Sequence, residues 1–482
     1  MIRISRRALL KGSAAAAASA LVPARAFSQQ RQILNDASGL NATPVFTHWV
    51  AKTESETIFI ERLRKELKEA AAQKRPVSVG AARHSMGGQS LPRNGTAMTF
   101  DINRCEPDLK AKTYRASAGT RWYQVIEHLD KIGFSPAVMQ SNSDFSVAAT
   151  FCVNAHGWPT PYGPFGSTVR SFRMMLAEGS IVTCSQTENA ELFALAMGGY
   201  GLFGVILDLE VDMVENLLVR PRREVMAATD FAGRFVETIK KDRAVRMIYG
   251  RLNVAREDFF SEALLVSYRP EPSQADLPAT TRHGSLSGFS NWIYRGQTGY
   301  EVLKNVRWYL ESVTLPALSS GVATRNTLMN EPVSNLLQAD PRRTDILHEY
   351  FVAPDRFNEF IHGCRDIIPK ARAEFLNVTL RYVKRDDTSV LAFAKQNCIA
   401  SVMSFSQEMS PEGEADMIRT TERLIDLVGS LGGSFYLPYR LHARPDQLLN
   451  IYPGVQRFIS LKRHYDRGLL FRNLMWDNYF AA

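Results

Sequence analysis

The sequence contains few cysteines, and none of them are paired at the spacing of a metal site. The five cysteines among 482 residues are Cys105, Cys152, Cys184, Cys364 and Cys398, and no two of them form a C-x-x-C motif. This spacing argues against a zinc or iron–sulfur centre, and we expect no metal ligands. A disulfide between two of them remains open, but buried thiols that pack as small apolar side chains are the simpler expectation.

Long apolar runs and long basic runs are also missing. No stretch after the N-terminal peptide reaches the roughly 18 apolar residues of a membrane-spanning helix. The formal net charge is +9, yet the basic residues are scattered rather than clustered as in a nucleic-acid-binding patch. With 45% hydrophobic and 22% charged residues, the chain has the composition of a globular protein. We therefore expect no membrane span in the mature chain and no nucleic-acid partner.

The N-terminal peptide, residues 1–26, has the layout of a cleavable export signal. A charged start leads into an alanine-rich apolar run that ends in an A-x-A cleavage signature at 24–26. The pair Arg6-Arg7 resembles a twin-arginine signal, which carries folded proteins and suits a protein that takes up its cofactor before export. We predict recognition by the twin-arginine translocation machinery and a periplasmic mature protein. An uncleaved amphipathic anchor is the alternative.

The first part of the mature chain alternates between helical and strand patterns. Apolar spacing predicts helices over residues 54–73 and 120–133. Strands are predicted over 75–80, 97–102 and 113–119, each of which ends at turn-forming residues.

Farther along, residues 169–185 predict a β-hairpin whose turn contains Glu178-Gly179. A helix, a glycine-rich turn and a strand are predicted between residues 188 and 214. From about residue 217 strands and helices alternate with longer polar insertions, which indicates a second domain.

Three loops rich in small residues bracket these elements. They are "VGAARHSMGGQS" (79–90), "NAHG" (154–157) and "GGYGLFGV" (198–205). Glycine and alanine allow backbone N–H groups to approach a phosphate or a ring closely. The third loop fits G-x-G-x-x-G by count, but it lies between a helix and a strand, the reverse of the Rossmann order, so we predict no Rossmann site.

In the order and spacing of four motifs, the chain resembles FAD-linked oxidoreductases of the vanillyl-alcohol oxidase/p-cresol methylhydroxylase (PCMH) family. The motifs are "PVSVGAARHSMGGQS", "SNSDFSVAATFCVNAHG", "GGYGLFGVI" and "LKRHYDRGLLFRN". The resemblance implies an α+β fold with a PCMH-type two-subdomain FAD-binding domain at 27–216. It further implies a substrate (cap) domain at 217–450, with an antiparallel sheet over the flavin, and a C-terminal segment, 451–482, that returns to the FAD domain.

The same resemblance implies FAD as the cofactor. His84 matches the histidine through which members with a G-x-G-H-S loop commonly bind FAD covalently, and a neutral imidazole can add to the 8α-methyl group of the flavin. Ala82 and Arg83 depart from the pattern because glycines are common there. A histidine that only donates a hydrogen bond is the alternative, and no second link through Cys152 is expected. The residues expected along the cofactor are Gly80, Ala81, Ala82, Arg83, His84, Ser85, Gly88, Gln89, Ser141, Ser146, Val147, Thr150, Asn154, His156, Gly157, Val205 and Asn473.

Candidate catalytic residues lie in the second domain. Alternation along residues 435–446 would place three of them on one strand face, although Pro438 disturbs the count. An arginine beside a tyrosine could lower the pKa of the phenol, and the identity of the base stays open. A predicted strand over 377–387 adds Arg381 and Lys384. Cross-strand pairing on a solvated sheet face is the alternative for each residue. The candidates are Tyr436, Tyr439, Arg440, His442 and Glu349.

The implied reaction is oxidation of a CH–OH group by hydride transfer to flavin N5. We expect a small alcohol or sugar as substrate (a sugar, an alditol or an aldonolactone-like compound), with electrons passed to O2. A dehydrogenase that uses a periplasmic or membrane electron carrier is one alternative. A non-enzymatic solute-binding protein that retains the fold is another.

Overall fold

The computed structural model describes residues 32–52, 55–282, 298–314, 321–332 and 340–481. The predicted export signal lies outside these residues. From Gln32 onward the chain forms one compact unit. Within the described ranges, no helix combines the length and the apolar character needed to cross a bilayer.

The strands are numbered in chain order. They are β1 (Gln32–Leu34), β2 (Thr43–Val45), β3 (Thr47–Ala51), β4 (Val77–Gly80), β5 (Thr96–Phe100), β6 (Cys105–Asp108), β7 (Thr113–Ser117), β8 (Phe134–Pro136), β9 (Val169–Met175), β10 (Ile181–Ser185), β11 (Val205–Glu215), β12 (Leu218–Ala227), β13 (Met247–Leu252), β14 (Glu262–Pro270), β15 (Ala323–Thr324), β16 (Arg343–Val352), β17 (Glu374–Val383), β18 (Cys398–Glu408) and β19 (Ser434–Phe435).

The α-helices are numbered in the same way. They are α1 (Glu56–Ala72), α2 (Trp122–Asp130), α3 (Val147–Cys152), α4 (Ala190–Ala196), α5 (Ala228–Lys241), α6 (Glu301–Tyr309), α7 (Arg325–Met329), α8 (Phe357–Ile367), α9 (Pro411–Ser430), α10 (Pro445–Ile451) and α11 (Val455–Tyr465).

A small parallel sheet, in the order β3-β5-β4, opens the fold. Helix α1 covers it with its buried apolar stripe, and Phe59 of α1 packs edge-on against Phe100 of β5 at a ring distance of 4.9 Å. Ser55 caps this helix by accepting a hydrogen bond from the N–H of Ile58. The helix and the strands predicted over this stretch are confirmed.

An antiparallel sheet follows, in the order β10-β9-β11-β7-β6, and β8 pairs with the far end of β11. The predicted hairpin is confirmed, because β9 and β10 pair from Ile181 opposite Met175 to Ser185 opposite Ser171. All five cysteines of the chain are described and unpaired, and four of them are buried; Cys152 is half-buried.

The largest sheet has eight antiparallel strands in the order β15-β12-β14-β13-β17-β18-β16-β19. Helices α5, α8 and α9 cover one of its faces, where Phe231 of α5 lies against Gly250 and Phe360 of α8 against Tyr350. The α+β class is confirmed by this combination of a parallel sheet, two antiparallel sheets and covering helices.

We call the opposite face of this sheet the inner face. Arg251 pairs with Thr379, Thr379 with Val402, and Val402 with Glu349. Paired residues share a face, as do alternate residues along one strand, so Arg381 also belongs to the inner face.

The C-terminal segment returns to the first sheet. The N–H of Val77 donates to the carbonyl of Leu470 at 2.7 Å, and Phe471 forms a parallel bridge with Val77. This pairing brings the residues after Phe471 beside the loop that follows β4.

Candidate active site

The loop after β4 is fixed by two buried amide side chains. Gln89 accepts a hydrogen bond from the N–H of Gly87 at 2.9 Å and donates to the carbonyl of Leu437 at 2.9 Å. Asn473 donates to the carbonyls of Gln89 at 2.7 Å and Tyr200 at 3.1 Å. Both side chains are among those expected along the cofactor, and both join the loop to distant parts of the chain.

The two glycines of this loop permit close approaches that a Cβ atom would block. A Cβ at Gly88, where φ is +69°, would lie 2.5 Å from the Leu474 side chain. At Gly87 a Cβ would lie 2.5 Å from the carbonyl oxygen of Tyr439. The turn at Gly87-Gly88 thus allows the loop to pack closely against the C-terminal segment and against the segment that carries Tyr439.

His84 lies half-buried at the start of this loop. Its ring centroid is 4.5 Å from that of Phe145, and no hydrogen bond among the described residues involves either ring nitrogen. Burial lowers the pKa of His84, opposed by the charge of Asp144. The imidazole is therefore neutral at neutral pH, the state in which a ring nitrogen is nucleophilic.

Arg83 occupies a left-handed backbone conformation, with φ at 54°. Glycine adopts this conformation without strain, which is consistent with the glycine expected here in a G-x-G-H-S loop. A non-glycine residue in this conformation costs about 1 kcal/mol of conformational free energy. The Arg83 guanidinium donates to the hydroxyl of Thr99 at 2.7 Å and lies 3.1 Å from Nε2 of His48. Of the other residues expected in this loop, Gly80, Ala81 and Ser85 are half-buried, and Ala82 is exposed.

In helix α3 and the loop after it, most of the side chains predicted to contact the cofactor are hydrogen-bonded to other groups of the protein. Ser146 caps α3 by accepting from the N–H of Ala149 at 3.2 Å. Thr150 accepts from Nε1 of Trp122 at 2.8 Å. Asn154 accepts from the N–H of Gly166 at 2.9 Å.

Three further residues expected along the cofactor are fixed by packing. Val147 begins α3 and Val205 begins β11, and both side chains are fully or almost fully buried. Gly157 approaches the carbonyl of Met139 so closely that a Cβ would lie 2.1 Å from that oxygen.

Several buried polar atoms in and near these loops have no hydrogen-bond partner among the described residues. They include Oγ of Ser90, Oγ of Ser141 and Nε of Arg83. Ser90 is a residue that the sequence did not single out. It lies opposite Gly80, where an added Cβ would be 3.0 Å from the Cβ of Ser90. The only feature of the sequence that could have indicated Ser90 is its position directly after Gln89.

His156 and Glu349 form a buried pair between the loop after α3 and the inner face. Nε2 of His156 is hydrogen-bonded to Oε1 of Glu349, and each residue is about 4% exposed. The hydroxyl of Tyr439 donates to Oε2 of the same carboxylate at 3.3 Å. Nδ1 of His156 is buried with no partner among the described residues. No sequence pattern joins these residues, and the structure brings them together.

The two tyrosines near this pair act as donors. Tyr436 donates to the carbonyl of Val153 at 2.8 Å, and Tyr439 donates to Glu349. Burial raises the pKa of both phenols well above the ordinary value, and the charge of Glu349 raises them further. The charge of Arg381 does lower the pKa of Tyr439, as expected of a neighbouring arginine, but burial and Glu349 outweigh it.

Arg440 and His442 lie apart from this cluster and contact Glu414 of α9. The Arg440 guanidinium donates to the Glu414 carboxylate, and Nε2 of His442 lies 3.0 Å from the same oxygen. Burial alone would raise the pKa of Glu414, but these partners outweigh it and hold that pKa well below its usual range. The strand predicted over 435–446 is wrong beyond Phe435, because Pro438 lacks the N–H that a continued ladder needs.

Comparison with known proteins shows which proteins this chain is similar to. The family described as FAD binding domain matches residues 60–185. Over 461 residues the chain is 20% identical to L-gulonolactone oxidase of Scyliorhinus torazame, covering 90% of this chain and 98% of that relative. It is 28% identical to cytokinin dehydrogenase 1 of Arabidopsis thaliana over 136 residues, covering 27% of this chain and only 24% of that relative. It is 26% identical to D-arabinono-1,4-lactone oxidase of Debaryomyces hansenii over 119 residues, covering 25% of this chain and 21% of that relative.

The loops around His84 and after α3 fit the cofactor that this domain binds. The polar atoms of Ser90, Ser141 and Arg83 that find no partner among the described residues offer hydrogen bonds to the polar groups of FAD. This observation fits loops that receive a large polar group. The chain carries an FAD-binding domain, and it is an FAD-linked oxidoreductase.

Proposed function

We propose that this enzyme oxidises a CH–OH group of a sugar, alditol or aldonolactone-like substrate and passes the electrons to dioxygen. The observation that carries the proposal is the Glu349 carboxylate on the inner face, held by His156 and Tyr439. Similarity to an L-gulonolactone oxidase over nearly its whole length supports the substrate class and the oxidase activity.

Bound FAD supplies the acceptor for the hydride of the substrate C–H bond. Glu349 is the carboxylate of this cluster and is the proposed acceptor of the hydroxyl proton, since the two neighbouring phenols already act as donors, Tyr436 to the carbonyl of Val153 and Tyr439 to Glu349. His156 orients the carboxylate through Nε2. Tyr436 and Tyr439 position the segment and donate hydrogen bonds.

Attachment of FAD through His84 is part of the proposal. Support comes from its neutral, half-buried imidazole with no described hydrogen bond, at the end of a strand within the FAD-binding match. The bond would join one ring nitrogen to the 8α-methyl carbon of the flavin, with loss of one methyl C–H proton and the imidazole N–H proton. The electron pair would pass to the flavin, and dioxygen, the acceptor already proposed, would take it up.

We also propose that the enzyme works in the periplasm after export by the twin-arginine route. The support is the N-terminal sequence: an arginine pair, an alanine-rich run and an A-x-A signature. The proposed domain limits, 27–216 for FAD and 217–450 for substrate, rest on the motifs and on the change of character near residue 217.

The proposal is tested by substrate oxidation under air. Purified flavin-loaded enzyme is mixed with L-gulono-1,4-lactone, an alditol and an aldose, and peroxide formation is followed. Formation of one peroxide per oxidised substrate supports the proposal. Turnover that requires an artificial dye and yields no peroxide instead supports a dehydrogenase, and no turnover with either acceptor contradicts CH–OH oxidation of these classes.

A further inference from the structure

A short turn between β1 and β2 contacts the loop after β4. Within this turn, residues 35–41, the carboxylate of Asp36 accepts hydrogen bonds from the hydroxyl of Ser38 at 2.6 Å and from Nδ2 of Asn41 at 2.7 Å. Ser38 is fully buried, and its carbonyl accepts a hydrogen bond from the hydroxyl of Thr344 on β16 at 2.7 Å. The 35–41 turn is therefore anchored to the large antiparallel sheet.

Two side chains of the 35–41 turn are hydrogen-bonded to the backbone of the loop after β4. Oδ2 of Asp36 accepts from the N–H of Gly88 at 2.8 Å. Nδ2 of Asn41 donates to the carbonyl of Met86 at 2.8 Å. Hydrogen bonds from an N–H group to a carboxylate are about twice as strong as those between neutral groups, so the bond of Asp36 contributes most to this attachment.

Two further hydrogen bonds strengthen the contact. The N–H of Ala37 donates to the carbonyl of Arg83, the residue directly before His84, at 3.0 Å. The guanidinium of Arg440 donates to Oδ1 of Asn41 at 2.9 Å. The 35–41 turn is thus bonded to both ends of the stretch that begins just before His84.

The backbone N–H groups of the loop fall into two sets. Those of residues 86–88 all donate to the protein, to the carbonyl of Pro438, to Gln89 and to Asp36 respectively. Those of residues 82–85 donate to no described residue. Because backbone donors near a binding site need an acceptor, the second set is available to the polar groups of FAD, and the first set fixes where the second lies.

We infer that Asp36 is a positioning residue for FAD. Its carboxylate holds the bonded part of the loop, and this part in turn sets the position of residues 82–85, which include His84. Asp36 and Asn41 precede residues 60–185, the range that matches the FAD-binding family, so no motif indicates them. The inference goes beyond the proposed function, because it concerns binding of FAD and not the substrate, the electron acceptor or the bond to His84.

An isosteric substitution tests the inference. Asp36→Asn keeps the shape of the side chain, but an amide nitrogen cannot accept the bonds that Ser38, Asn41 and Gly88 now donate to the two carboxylate oxygens. The FAD dissociation constant is measured by quenching of flavin fluorescence in protein that also carries His84→Ala, so that FAD can exchange. Relative to His84→Ala alone, we expect this constant to rise about tenfold.

The matched control is Asp108→Asn. Oδ1 of Asp108 accepts from the N–H groups of Lys110 and Ala111, both at 2.9 Å, in the surface turn after β6. This variant loses the same kind of bond and should leave the FAD dissociation constant within about twofold. Asn41→Ala removes the donor to Met86, should raise the constant severalfold, and serves if Asp36→Asn does not fold.

These measurements separate positioning from a purely structural role. A general loss of stability does not change the FAD dissociation constant of protein that is folded, well below its unfolding temperature. An unchanged constant in Asp36→Asn, or an equal rise in Asp108→Asn, would overturn the inference.

Hydrogen exchange of the FAD-loaded full-length protein, with His84 present, gives a second readout. In Asp36→Asn the amides of residues 81–88 should exchange about tenfold faster than in the wild type, while those of α1 stay unchanged. If His84→Ala protein binds no FAD, this measurement decides. Equal exchange of residues 81–88 in the two proteins would then overturn the inference.

Discussion

Nε2 of His156 is hydrogen-bonded to Oε1 of Glu349, although the two residues are 193 positions apart in the chain. The first follows α3 in the FAD-binding part, and the second lies on β16 of the large antiparallel sheet. This bond therefore joins the cofactor-binding loops to the sheet that faces them. With the hydroxyl of Tyr439, it gives the Glu349 carboxylate two hydrogen-bonding partners.

Replacement of His156 should reduce turnover without loss of FAD. In His156→Gln an amide donor can still reach Glu349, so we expect kcat to fall by about tenfold. In His156→Phe the donor is gone, and a fall of about 100-fold or more is expected. Steady-state kinetics on enzyme of equal flavin content check this, and equal kcat values in the two variants would contradict an orienting role.

His84→Ala should abolish covalent attachment of FAD. Wild-type protein precipitated with acid is expected to keep its yellow colour in the pellet, whereas the variant should release flavin into the supernatant. His128→Ala is the matched control, because His128 is exposed on α2 and far from the loop in sequence. Release of flavin from the wild type, or retention by the His84 variant, would show that another arrangement holds the cofactor.

Gly157→Ala should destabilise the protein severely. The added Cβ would lie 2.1 Å from the carbonyl oxygen of Met139, a backbone atom that cannot move aside cheaply, and we expect a loss of about 3 kcal/mol or more. Gly233→Ala is the control. It lies within α5 with open space around it, and a gain of up to about 1 kcal/mol is expected from helix propensity. Thermal or denaturant unfolding of both variants measures the difference, and similar stability would contradict the close approach.

The free energy of unfolding should fall as the pH is lowered, because of the buried side chain of His348. Burial, reinforced by the charge of His442, lowers the pKa of His348 to about 3. Below the unfolded pKa of about 6.5, His348 binds a proton in the unfolded chain but not in the folded protein. The free energy of unfolding therefore falls by about 2 kcal/mol between pH 8 and pH 5 because of this group.

Denaturant unfolding at both pH values tests this effect. His348→Gln, which keeps polar contacts but does not titrate, should lose about 2 kcal/mol less than the wild type over the same interval. Parallel pH dependence in the two proteins would show that the histidine is not held neutral.

The local elements of the first part of the chain were predictable from sequence. Helix α1, the strands around it and the β9–β10 hairpin follow from apolar periodicity and turn residues, which act over short range. His84 could be singled out in the same way, since its loop follows a strand directly. The resemblance to a flavoprotein family also rested on such short motifs.

The composition of the polar cluster could not be predicted in this way. Whether His156 meets Glu349 depends on how two distant sheets pack, and periodicity contains no such information. The segment after Phe435 shows the same limit. Arg440 and His442 looked like neighbours of Tyr436 on one strand, but the chain leaves the sheet before Pro438 and carries both side chains to Glu414.

The role of Glu349 is the central claim, and single-turnover reduction tests it most directly. Flavin-loaded wild type and Glu349→Gln are mixed with substrate without oxygen, and bleaching of the flavin absorbance is followed in time. We predict that the variant binds equal FAD and substrate but bleaches at least about 100-fold more slowly, because it lacks the proton acceptor. Bleaching at the wild-type rate in Glu349→Gln would contradict the account.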